Sequence, residues 1–120
     1  MKFKESKPIY LQIADRICDE ILQGKYKEEE RIPSVREYAS TVEVNANTVV
    51  RSFDYLQGQD IIYNKRGLGY FVIQGGRERI LELRKEVFLR DELPEFFRQL
   101  KTLDIPMKEI ENMYKCFFNE

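Results

Sequence analysis

The 120-residue sequence predicts an α+β, mostly α fold: an N-terminal winged helix-turn-helix followed by a small three-helix region. Three observations lead there. Ser34 and Asn45 each open a run of helical periodicity, and only a short segment, Thr41 to Val44, separates the two runs. Two β-prone runs, Ile61-Ile62-Tyr63 and Tyr70-Phe71-Val72-Ile73, flank the glycine-tipped turn Asn64-Lys65-Arg66-Gly67-Leu68-Gly69. After Gln74-Gly75-Gly76 the pattern turns helical and highly charged, with more apolar residues than an isolated surface helix would carry. The seam at Gly75-Gly76 divides the chain into residues 1–75 and 76–120.

Composition narrows the function classes. With 42% hydrophobic and 34% charged residues the chain reads as a soluble globular protein, and no apolar run approaches the roughly 18 residues of a membrane span. Met1-Lys2-Phe3-Lys4-Glu5-Ser6 has charge and no apolar stretch, so no secretory signal is expected and a cytoplasmic location follows. Cys18 and Cys116 lack the spacing of a disulfide framework or zinc knuckle. There is no histidine, which removes the commonest general base and most transition-metal sites; no metal, no cofactor and no enzyme activity are expected. A net charge of −1 does not by itself favour a polyanionic partner, so charge placement has to decide.

The first helix starts at Pro8, since an N-terminal backbone N–H has no helical partner to lose. Tyr10, Ile13, Ile17 and Ile21 recur at three- and four-residue steps and form its inward face, up to Gly24. Residues 25–32 read as a loop, with Glu28-Glu29-Glu30 as a solvated turn. Ser34 and Glu37 have the spacing of a capping box and open the second helix, which packs through Val35, Tyr38, Ala39 and Val42 and leaves Arg36 outside. Asn45 caps the third helix, where Val49, Phe53 and Leu56 lie within about 60° on a wheel of about 100° per residue.

Opposite that stripe stand Asn47, Val50 and Arg51, with Thr48 on a flank. A merely solvated helix would carry Glu and Lys there. Arg and Asn instead offer donors for purine edges or phosphates, Thr can bond phosphate, and the Val50 or Ala46 methyls suit a thymine methyl, so the face fits a DNA major groove. In the hairpin, Gly67 and Gly69 allow positive φ and close backbone approach, while Lys65 and Arg66 bring cations to the tip. The Gly-x-Gly is not a dinucleotide fingerprint: Val72 stands where a third glycine belongs, and a strand follows in place of a helix.

Four blocks, Pro8-Ile-Tyr-x-Gln-Ile13, Ile32-Pro-Ser-Val-Arg-Glu-Tyr-Ala39, Val44-Asn-x-Asn-Thr-Val49 and Gly67-x-Gly-Tyr-Phe-Val72, resemble in order and spacing the GntR family of bacterial transcription regulators. The short tail is similar to that of its YtrA subfamily. This resemblance implies a repressor of a nearby operon, often one encoding an ABC transporter, with Arg36, Asn47, Thr48 and Arg51 at the DNA and the Gly67-Leu68-Gly69 wing in the neighbouring minor groove. With Ser34, Asn45, Lys65 and Arg66 these residues make up the expected DNA-binding set. The chain departs from the family where Glu29 and Asp60 replace frequent glycines and Ala46 a frequent proline.

In the tail, Arg77 to Arg90 carries Ile80, Leu83 and Val87, with Leu81 and Phe88 in a second row. Leu93-Pro94 is expected to start another helix through Phe96, Leu100 and Leu103, and Pro106 a third with Ile110, Tyr114 and Phe117. Three short helices bury little alone, so residues 76–120 are read as a dimerisation region using Ile80, Leu83, Val87, Phe96, Leu100, Ile110, Tyr114 and Phe117. A homodimer expects a palindromic operator on double-stranded DNA. The competing reading is a winged-helix protein-interaction module without operator contact, which predicts an apolar third helix. Any small-molecule effector is unknown at this level.

Overall fold

The computed structural model describes residues 7–119, and the charged opening Met1 to Ser6 lies outside them. Element order is α1 (Ile9–Leu22), α2 (Val35–Val42), α3 (Ala46–Gly58), β1 (Ile62–Lys65), β2 (Gly69–Val72), α4 (Gly76–Val87), a π-helical turn (Phe88–Glu92), α5 (Leu93–Thr102) and α6 (Met107–Phe118). The chain forms two compact units, Met1–Glu82 and Leu83–Glu120.

In the first unit the core is drawn from every element. Ile13, Ala14, Ile17 and Ile21 of α1 meet Tyr38, Ala39 and Val42 of α2 and Val49, Phe53 and Leu56 of α3, and Ile32, Ile61, Ile62, Val72 and Ile80 complete the buried set. Each helix thus buries most of the stripe its spacing marks, with Val35 of α2 only half-buried. Tyr10 is the exception on α1, with a ring only half-buried.

The strands pair antiparallel with Ile62 opposite Val72 and Lys65 opposite Gly69. The Leu68 N–H donates to the Lys65 carbonyl at 2.8 Å, closing a turn in which Gly67 takes a φ of +80° that a side chain would oppose. The segment expected to be a loop does more than connect. Its backbone pairs with the free edge of β2: Glu29 N–H donates to Val72 O at 2.8 Å, Val72 N–H to Glu30 O at 3.0 Å, and Ile32 N–H to Tyr70 O at 2.9 Å. Residues 29–32 therefore act as a third strand of the wing, satisfying an edge that would otherwise stand open.

Glu29 and Asp60, the two positions read as replacing glycine, both adopt left-handed backbone, with φ of +67° and +61°. Ala46 is the first residue of α3, a position that suits proline equally well. A buried carboxylate ties α1 to α2: Glu20 accepts a hydrogen bond from the Tyr38 hydroxyl at 2.9 Å and is approached by Lys25 Nζ at 3.3 Å. Burial, followed by that carboxylate, holds the Tyr38 phenol in its neutral form well above the ordinary tyrosine range.

In the tail a helix starts at Leu93-Pro94 as the sequence implies, and α4 leads into it without a break through the π-helical turn, where Leu93 N–H donates to Phe88 O. Pro94 explains it. The residue has no N–H to donate and its ring crowds the carbonyl four residues back, that of Arg90, so the helix widens for one turn ahead of it. The α4 start is held within the first unit: Arg79 Nε donates to the Gln59 carbonyl at 3.1 Å, and Ile80 is fully buried.

Two stability changes are expected in urea unfolding. Tyr38→Phe, which leaves buried Glu20 without that donor, should cost about 1–3 kcal/mol. Asp60→Gly should instead raise stability by about 0.5–1 kcal/mol, the relief of left-handed strain outweighing the extra chain entropy of glycine. No gain in the second variant would mean that Asp60 is unstrained.

Candidate nucleic-acid interface

The two helix starts are built by local chemistry. Ser34 Oγ accepts the Glu37 N–H at 3.1 Å while Ser34 N–H donates to Glu37 Oε1 at 3.0 Å, completing the capping box. Those bonds, the Ser34 backbone donor foremost, together with Arg31, hold the Glu37 carboxyl below the usual glutamate range. α2 ends on Glu43 in left-handed conformation, and Asn45 Oδ1 then accepts the Asn47 N–H at 2.7 Å to start α3. Both caps therefore have their acceptor occupied. Ser34 retains its hydroxyl hydrogen and Asn45 its amide NH₂, donors of the kind a phosphate oxygen accepts.

The outer face of α3 is as its spacing implies. Asn47, Val50 and Arg51 are exposed, Thr48 is half-exposed, and Val49, Ser52 and Phe53 face inward. Arg36 is exposed in the first turn of α2. The α3 helix is fixed from beneath, since the buried Ser52 hydroxyl donates to the Tyr10 carbonyl at 2.6 Å and the Phe53 ring meets the Tyr70 ring edge-on at 4.8 Å.

At the wing, Lys65, Arg66 and Gly67 are exposed and Leu68 projects from the tip with 57% of its surface open. Gly69, at φ +109°, lies under the Arg31 side chain, whose Nε stands 2.9 Å from where a Cβ would be. Arg31 in turn approaches Glu37 at 3.7 Å. Contacts thus run without interruption from the wing through Arg31 to the start of α2.

Sequence periodicity misses two residues of this surface. Arg31 falls in the expected loop, and only its pairing with β2 brings it to the wing. Tyr10 falls on the inward stripe of α1, yet its ring lies beneath the Arg51 guanidinium with Cζ 4.2 Å from the centroid. Helical spacing can flag Tyr10 as inward-facing but not as the partner of a residue on another helix.

Cations on this surface differ in whether a carboxylate stands beside them. Among the described residues Arg16, Arg31, Arg79, Arg90 and Arg98 each approach a carboxylate. Arg36, Arg51 and Arg66 do not, and Lys65 lies over the Phe71 ring at 5.5 Å without an acidic partner. An exposed cation without an acidic partner is available to an external anion such as a phosphate backbone. No group of side chains among the described residues is arranged to hold a metal ion.

A winged helix-turn-helix with that surface defines a DNA-binding transcriptional regulator. Residues 9–72 match the bacterial regulatory proteins of the gntR family, and the chain belongs to that family. It is 34% identical over 97% of its length, and 94% of the relative's, to YhcF of Bacillus subtilis, an uncharacterised HTH-type transcriptional regulator. It is 26% identical over 93% of its length, and 85% of the relative's, to the transcriptional repressor YtrA of the same organism, in keeping with a YtrA-like subfamily. A crystal structure of a putative GntR-family regulator from Bacteroides thetaiotaomicron shares 64% identity and a TM-score of 0.82, covering 92% of this chain and 96% of that one.

The left-handed Gly69 beside the wing tip yields a direct test. Gly69→Ala should lower stability by about 1–3 kcal/mol through backbone strain, the flexible Arg31 side chain yielding to the added methyl. A melting temperature equal to that of the parent would show that the wing relaxes without cost.

Proposed function

We propose that the chain is a transcriptional repressor that binds a palindromic operator as a homodimer, reading each half-site with Ser34, Arg36, Asn45, Asn47, Thr48 and Arg51 and bracing it with Lys65, Arg66, Gly67 and Gly69 of the wing. The observation that carries this reading is the set of exposed cations without carboxylate partners on α2, α3 and the wing. Near-neutral total charge implies modest affinity for arbitrary DNA, so these few cations, doubled by symmetry, supply the binding. The protein-interaction alternative is disfavoured because the outer face of α3 is polar.

Pairing is supported by what the second unit leaves open. Phe96, Tyr114 and Phe117 are 40%, 66% and 73% exposed, and Phe97, Leu103, Met107, Met113 and Phe118 add to the same unsatisfied apolar surface. A monomer seldom presents so much. Leu83 and Ile110 are half-buried and Val87 is exposed. Ile80 and Leu100 are covered within the single chain, so the proposed contact surface rests on Val87, Phe96, Tyr114 and Phe117 with their exposed neighbours. We assign residues 1–75 to DNA reading and 76–120 to pairing. The protein works in the cytoplasm without catalytic activity, and an effector, where one acts, would reach the reading heads through the paired tails.

Selection of bound fragments from random DNA should return an inverted repeat with half-site centres about one helical turn, roughly 34 Å, apart. On that operator Arg51→Ala should weaken binding by about 1–3 kcal/mol at fixed salt. Light scattering should give twice the 14.4 kDa chain mass at micromolar concentration. Unselective recovery of fragments would overturn operator reading, and a monomer mass would overturn pairing.

A further inference from the structure

We propose that Tyr10 is a positioning residue for operator recognition: its ring holds the Arg51 guanidinium in the orientation in which α3 presents it to the DNA. The inference rests on the reading of α3 as the recognition helix. Arg51 Cζ lies 4.2 Å from the Tyr10 ring centroid, within the distance at which a cation is attracted by the negative face of an aromatic ring. The two residues are also registered through the backbone, since Ser52, next in sequence to Arg51, donates its hydroxyl to the Tyr10 carbonyl at 2.6 Å. Ring and guanidinium therefore meet on a fixed frame, one side chain from the first turn of α1 and the other from the second turn of α3.

The kind of contact matters. A carboxylate partner would occupy the in-plane N–H fork of the guanidinium, the part that makes bidentate bonds with a guanine edge or a phosphate. An aromatic ring occupies only the flat face. Arg51 is thereby steadied while its donors stay available, and less of its rotamer freedom remains to be lost on binding. Arg90, by contrast, has its fork engaged by Asp91, Nε at 2.9 Å and Nη2 at 3.1 Å.

A double-mutant cycle tests the claim with the full-length protein and its selected operator. Tyr10→Leu should weaken operator binding about two- to fivefold, leave binding to unrelated duplex DNA unchanged, and add no further loss in the Arg51→Ala background. Tyr10→Phe, which keeps the ring, should bind as the parent does. Tyr10→Met is the second ring-less variant should Tyr10→Leu melt prematurely. Equal losses in the parent and Arg51→Ala backgrounds, a loss in Tyr10→Phe matching that in Tyr10→Leu, or no loss in either ring-less variant would overturn the positioning role. If Arg51→Ala itself binds the operator normally, the reading of α3 falls and takes this inference with it, an outcome distinguishable because it shows before any Tyr10 variant is compared.

Discussion

The Phe53 ring is the constraint on which the reading head depends. It is fully buried, and it meets Tyr38 of α2 at 6.5 Å and Tyr70 of β2 at 4.8 Å, the latter edge-on. Such offset and edge-on arrangements favour particular ring angles, so one side chain fixes α3 against both the preceding helix and the wing. The outer face of α3 owes its direction to that buried contact, because Asn47 and Arg51 stand on the side opposite Val49, Phe53 and Leu56.

Around this centre the buried and capping carboxylates are engaged within the chain. Buried Glu20 engages Tyr38 inside the head and exposed Lys25 at its surface, and Glu37 is engaged by Ser34 and Arg31 at the start of α2. Arg36, Arg51 and Arg66 have no carboxylate, and Arg51 and Lys65 rest on rings. Charge balance over the whole chain is therefore compatible with a locally cationic surface.

Much of this is legible in the sequence because it is local. The Ser34–Glu37 capping box, the Asn45 cap, the buried stripes of the first three helices and the glycine-tipped hairpin are all set by neighbours within a few residues. What stays hidden needs distant partners. Residues 29–32 carry no alternating apolar pattern, and their strand-like pairing arises only from the exposed edge of β2. Glu20 reads as one more helix carboxylate until Tyr38, 18 residues on, buries it. The resemblance flags Glu29 and Asp60 as departures from glycine, and their left-handed backbone supplies the physical reason glycine suits those places. Pro94 announces a helix boundary, but the chain resolves the clash by widening one turn in place of breaking.

On the proposed reading, the second unit is what pairs two heads. Its helices bury few of their own large side chains, leaving Phe96, Tyr114 and Phe117 to solvent in a single copy. Covering that surface with a second chain would set two recognition helices at a fixed separation and convert a weak, short contact into a selective one. Hydroxyl-radical footprinting of the protein on its selected operator tests this account most directly. It predicts two symmetric protected patches about one helical turn apart, roughly 34 Å, each centred on a half-site. A single asymmetric patch, or protection that does not depend on the operator sequence, would contradict it.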